Sequence, residues 1–90
     1  MEQLRIRVSD PVGLHARPAA LFVGAAKSCA SKIRVRNATT ESKWVDAKRI
    51  LGVLTLGVEQ DHEIELTAEG ADETEAVAKI EALIRGNFGA

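Results

Sequence analysis

His15 and Arg17 stand two residues apart in the stretch Gly13-Leu14-His15-Ala16-Arg17-Pro18-Ala19-Ala20-Leu21. A neutral imidazole is a competent nucleophile near neutral pH and can carry a group covalently. A guanidinium presents a forked pair of donors that matches phosphate oxygens. Ala19, Phe22, Val23 and Ala26 recur at i, i+3, i+4 and i+7, which predicts a helix from Ala16 to Lys27 with His15 at its entrance. The amides of Ala16 and Arg17 open that helix without intrahelical acceptors. With the positive end of the helix dipole they form an anion site. Taken alone, His15 reads as a loop or capping residue. Imidazole, helix amides and guanidinium together describe a site for a transient phosphohistidine.

The elements that must hold these groups follow from periodicity. Leu4, Ile6 and Val8 alternate with Arg5, Arg7 and Ser9, the pattern of a half-buried strand, and Asp10-Pro11-Val12-Gly13 breaks it with turn chemistry. Pro18 falls in the first helical turn, where its missing N–H is no loss, and Lys27 suits the other end of the dipole. Lys32 to Arg36 alternates again, with Lys32, Arg34 and Arg36 as a basic face. After a polar turn from Asn37 to Lys43, Trp44-Val45 reads as a short returning strand. Asp46 then stands as the N-cap of a brief helix that reaches Leu54. His62 to Thr67 alternates as a fourth strand. Ala71 to Arg85 is a helix with Asp72 and Glu75 at capping-box spacing, a Val77, Ile80 and Ile84 stripe, and Gly86 as its stop. The order β-α-β-β-α-β-α implies an α+β open-faced β-sandwich in one domain, residues 1–90, with a four-stranded antiparallel sheet covered on one face by three helices.

Composition narrows the function. Of the 90 residues 46% are hydrophobic, but only two Phe, one Trp and no Tyr are aromatic, so the core is aliphatic and base stacking is poorly served. Twelve basic against thirteen acidic residues leave a net charge of −1, which argues against a nucleic-acid partner. The lone Cys29 excludes an internal disulfide and reads as a structural or incidental thiol. His62 lacks metal-ligand spacing and reads as a surface residue. Trp44 is expected partly buried against the sheet edge. The N-terminus has no signal-peptide pattern and no apolar run reaches 18 residues, so no membrane insertion and a cytoplasmic location are expected.

At this point the sequence resembles the histidine-containing phosphocarrier (HPr) family of the phosphoenolpyruvate-dependent sugar phosphotransferase system. GLHARPAAL is similar to the family's active-site signature, Lys48 to Gly57 to its second motif, and Gly70-Ala71-Asp72-Glu73 to the start of its last helix. The resemblance runs over essentially the whole chain. It implies that Enzyme I donates a phosphoryl group to Nδ1 of His15, that Arg17 and the Ala16 and Arg17 amides stabilise it, and that IIA domains remove it. It further implies docking through Ala20, Ile50, Leu51 and Leu54, flanked by Lys27, Lys48 and Arg49, although Ile50 reads equally as core. A monomeric carrier without cofactor or metal, and with little independent turnover, is expected. Two departures stand out. Arg49 occupies the position where many members carry a regulatory serine, and the hairpin from Ala38 to Lys43 is longer than usual. The alternatives are a nitrogen-type or dihydroxyacetone-kinase phosphorelay, or a purely regulatory interaction module.

Overall fold

Period-two alternation builds the sheet. Strands β1 (Glu2–Arg7), β2 (Lys32–Asn37), β3 (Val45–Asp46) and β4 (Glu63–Glu69) pair antiparallel in the order β1-β4-β2-β3. Ile6 faces Ile64, and Leu66 sits between Leu4 and Val35, so the inward residues of three strands form one apolar surface. Helices α1 (Ala16–Lys27), α2 (Ile50–Leu54) and α3 (Glu73–Arg85) complete the expected order, and a short 3-10 turn, Asn87–Gly89, closes it. The structure, a computed structural model, describes residues 1–89.

The helix stripes bury as the spacing requires. Ala19 is fully buried, and Phe22, Val23 and Ala26 of α1 with Val77, Ile80 and Ile84 of α3 join a single core with the inward strand residues. The other sheet face is polar and uncovered. Among the described residues no helix is long and apolar enough to cross a membrane.

Four local expectations are corrected. Asp46 does not cap α2: it pairs with Arg34 in the sheet, and its carboxylate accepts the Lys48 amide at 2.9 Å, so the helix starts only at Ile50. Asp72 precedes α3, but its side chain caps nothing there. It accepts the Ala30 amide at 2.8 Å and the Ser31 amide at 2.9 Å instead, a tertiary demand that outcompetes the local box. Trp44, just before the edge strand β3, is 41% exposed, more open than the partial burial expected, and stands on the open face of the sheet with the Arg36 guanidinium over its ring. His62 is half-buried and ends the preceding turn, and β4 begins one residue later at Glu63.

Candidate functional site

A clamped turn delivers His15. Asp10, only 7% exposed, accepts the Val12 amide on its carboxylate at 2.8 Å and the Gly13 amide on its carbonyl at 2.8 Å. Gly13 has φ +73, and a Cβ there would lie 2.2 Å from the Val58 carbonyl oxygen, so no other residue fits without moving the chain. Leu14 is fully buried, and its amide donates to the same Val58 oxygen at 2.9 Å. Both residues before His15 are thus fixed against the Val58–Glu59 segment.

His15 is the residue immediately before α1. Its backbone is extended (φ −130, ψ 169), its carbonyl accepts the Ala19 amide at 3.3 Å, and its ring caps nothing. The capping alternative therefore falls away, and the imidazole stands uncommitted and partly exposed. Ala16 adopts φ +49, a left-handed conformation that costs an alanine roughly 1–2 kcal/mol. The Ala16 and Arg17 amides have no backbone acceptor among the described residues. Strain and open donors meet beside one nucleophile, the pattern expected of a site and not of a cap.

Arg17 is placed by the far end of the chain. Its Nη1 donates to the Phe88 carbonyl at 2.9 Å. Phe88 is 1% exposed, and both Asn87 (φ +54) and Phe88 (φ +56) lie in the left-handed region, so a buried ring pins a tight turn whose carbonyl faces the guanidinium. This contact was absent from the sequence reading, and only the apolar Phe88 next to Gly89 signalled it.

The expected docking residues fall on α1, α2 and the turn between strand and helix. On α2, Leu51 is 76% exposed while Ile50 and Leu54 are about half as open, and Val53 faces the core. Ile50 is therefore at the surface. Ala20 and Lys27 are exposed on α1, which packs against α2. Arg49 is exposed and immediately precedes α2. Lys48 differs from the rest: it is half-buried, and its ammonium donates to the Cys29 carbonyl at 2.8 Å, tying the end of α1 to the approach to α2.

One supporting residue went unread in the sequence. Asn37 is fully buried, and its Nδ2 donates to the Leu56 carbonyl and to His62 Nδ1, each at 3.1 Å. The Glu59 amide reaches the same ring nitrogen at 3.2 Å, so Nδ1 of His62 serves as an acceptor. Asn37 and His62 thereby brace the segment 56–59 that holds Leu14. The available signal was a polar side chain at the third inward position after Ile33 and Val35.

The start of α3 is electrostatically the opposite of that of α1. The Ser31 hydroxyl, with the Ala30 and Ser31 amides, holds the Asp72 carboxyl below its ordinary range. Glu73 is held low by the N-terminal ammonium at 2.9 Å and by the Gly70 amide at 3.2 Å, and that ammonium is raised by the same pairing. Among the described residues no group of three or more His, Cys, Asp or Glu stands together as a metal site.

Comparison with known proteins points one way. Residues 3–86 match the family model described as the PTS HPr component phosphorylation site. The phosphocarrier protein HPr of Treponema pallidum is 42% identical over 83 residues, covering 92% of this chain and 91% of that protein. A multiphosphoryl transfer protein of Vibrio cholerae is 39% identical over 83 residues, but the chain spans only 21% of its length. The crystal structure of HPr-C-His from Thermoanaerobacter tengcongensis superposes with a TM-score of 0.94 at 43% identity, covering 100% of this chain and 98% of that one.

Proposed function

The chain belongs to the HPr family of phosphocarriers of the phosphotransferase system, and from that membership we propose that His15 Nδ1 accepts a phosphoryl group from phosphorylated Enzyme I and passes it to sugar-specific IIA domains. One observation carries the reading: an uncommitted imidazole immediately before α1, beside two helix-opening amides and an arginine two residues on. The Nδ1 lone pair attacks phosphorus as the donor's bond to the group breaks, so one N–P bond forms for each bond lost. The Ala16 and Arg17 amides meet the equatorial oxygens, where charge is spread in the transition state. Arg17 starts on a neutral carbonyl, Phe88 O. A phosphoryl dianion is the stronger acceptor, so the guanidinium engages the group only while it is present.

This arrangement suits a carrier. It stabilises the group by a few donors at an exposed point and encloses nothing, so the group leaves as readily as it arrives. The exposed Ile50, Leu51 and Leu54, with Ala20, form the docking surface, and Lys27 and Arg49 steer acidic partners toward it. The acceptor, the guanidinium and the amides all come from one chain, in keeping with a monomeric carrier. Arg49 has no hydroxyl, so position 49 itself offers no acceptor for the serine-dependent regulatory phosphorylation.

The test is incubation with Enzyme I and radiolabelled phosphoenolpyruvate. An acid-labile, alkali-stable label is expected on the wild type and none on His15→Ala. An unlabelled wild type overturns the proposal. Chasing the label with sugar IIA domains, against nitrogen-type IIA domains and the dihydroxyacetone-kinase acceptor, distinguishes the three relays.

A further inference from the structure

On the uncovered sheet face, away from the helices, five cations project from β1 and β2: Arg5, Arg7, Lys32, Arg34 and Arg36. Three are neutralised. Arg5 pairs with Glu63 at 2.7 Å, Arg36 with Glu65 at 2.7 Å, and Arg7 with Asp61 at 3.9 Å. Lys32 and Arg34 have no carboxylate within 4.0 Å among the described residues. The register shows why. The outward residues of β4 run Glu63, Glu65, Thr67, Glu69, and the one non-acidic member, Thr67, stands opposite Arg34. On the other side Arg34 faces Asp46, whose carboxylate is taken by the Lys48 amide. Lys32 faces Glu69 across the register without an ion pair.

These two cations are neighbours in one groove of about 300 Å³, lined by Met1, Lys32, Arg34, Trp44, Thr67 and Glu69. The volume is at the lower end of the roughly 300–1,000 Å³ of small-molecule sites. Trp44, the chain's single tryptophan, stays 41% exposed although the Arg36 guanidinium lies 5.5 Å from its ring centroid. An exposed indole, two unpaired cations and a hydroxyl in so small a groove fit an anion that carries an aromatic ring.

We propose that this groove binds a nucleoside monophosphate. The base stacks on Trp44, the phosphate is held by Lys32 and Arg34 with the Thr67 hydroxyl as a further donor, and Glu69 accepts from the ribose hydroxyls. The groove is formed by sheet residues and shares none with His15, so phosphoryl carriage and nucleotide binding stand or fall separately.

Trp44 is its own reporter. Titration with adenosine 5′-monophosphate, excited at the red edge where the nucleotide does not absorb, should give saturable quenching with a sub-millimolar midpoint. Adenosine alone and inorganic phosphate alone should each bind at least about tenfold more weakly, since each loses one half of the recognition. Lys32→Gln/Arg34→Gln should weaken binding by about tenfold or more with an unchanged circular dichroism spectrum, whereas His15→Ala should bind as the wild type. Calorimetry on Trp44→Ala, which needs no fluorophore, should show the same loss. No saturable signal, equal binding of adenosine, equal binding by the double variant, or tighter binding of single-stranded DNA than of the mononucleotide would each overturn the proposal.

Discussion

Two helices of similar length begin in opposite ways. At α3 the two leading carboxylates are engaged: Asp72 takes two amides and a hydroxyl from the 30–31 segment, and Glu73 takes the Gly70 amide and the N-terminal ammonium. At α1 the preceding side chain caps nothing, the next residue is strained at φ +49, and two amides stay open. Each helix begins with amides that have no intrahelical acceptor, one fewer at α1 because of Pro18. The difference lies in the side chains: at α3 they are committed to partners that hold the fold together, whereas at α1 an imidazole is left free beside a strained backbone for a ligand that comes and goes.

The comparison is broken most sharply by exchanging damage between the two starts. His15→Ala should abolish phosphoryl acceptance while moving stability by no more than about 0.5 kcal/mol, as for an exposed substitution without partners. Labelling and urea denaturation on the same sample check both halves. Next in size is Arg17→Ala, expected to slow transfer by about 10²–10³-fold, the effect of removing one donor from a charge-stabilising site. Arg17→Lys should recover only part of this, because an ammonium cannot fork. Rapid-quench rates with Enzyme I read the difference.

Stability changes come third. Asn37→Ala removes the donor shared by the Leu56 carbonyl and His62 and should cost about 1–3 kcal/mol, with transfer reduced through the loosened 56–59 segment. A variant that lost stability but held Leu14 in place would show that α1 needs no such brace, and amide exchange at Leu14 and Gly13 decides this.

The α3 start predicts a pH signature. Asp72 and Glu73 have folded pKa values below their unfolded ones, so their contribution is present above about pH 4–4.5 and is lost as pH falls through the lowered folded values. The N-terminal ammonium is raised, so its contribution is complete below about pH 8 and is lost as pH rises through the raised value. Glu73→Gln should flatten the alkaline arm and part of the acid arm of the melting temperature. Asp72→Ala should flatten the rest of the acid arm and lower the melting temperature without lowering the extent of phosphorylation. The smallest effect is expected of Ala16→Gly. Relief of the left-handed alanine and the added freedom of an unfolded glycine nearly offset, leaving a change within about 1 kcal/mol.

Much of this is legible in the sequence alone. The bounds of α1, the buried stripe of Ala19, Phe22, Val23 and Ala26, and the place of His15 before the helix all follow from residues within one or two turns of each other. Readings failed where a side chain had two suitors. Asp46 had good capping chemistry, yet the β2–β3 ladder and its own turn claimed it. Asp72 had capping-box spacing, yet a segment from the other end of the first helix claimed it. Trp44 was expected partly buried against the sheet edge, yet it stands 41% exposed with the Arg36 guanidinium over its ring.

By itself, then, the sequence determined the elements, their order and the residues able to do chemistry, because periodicity, turn chemistry and helix-end polarity are local. Only the tertiary structure decided what each polar group holds. Asp72 reaches partners 41 and 42 residues away, and Arg17 finds its carbonyl 71 residues away, at Phe88. Such pairings depend on which surfaces the core brings together, and no spacing along the chain encodes that distance in space.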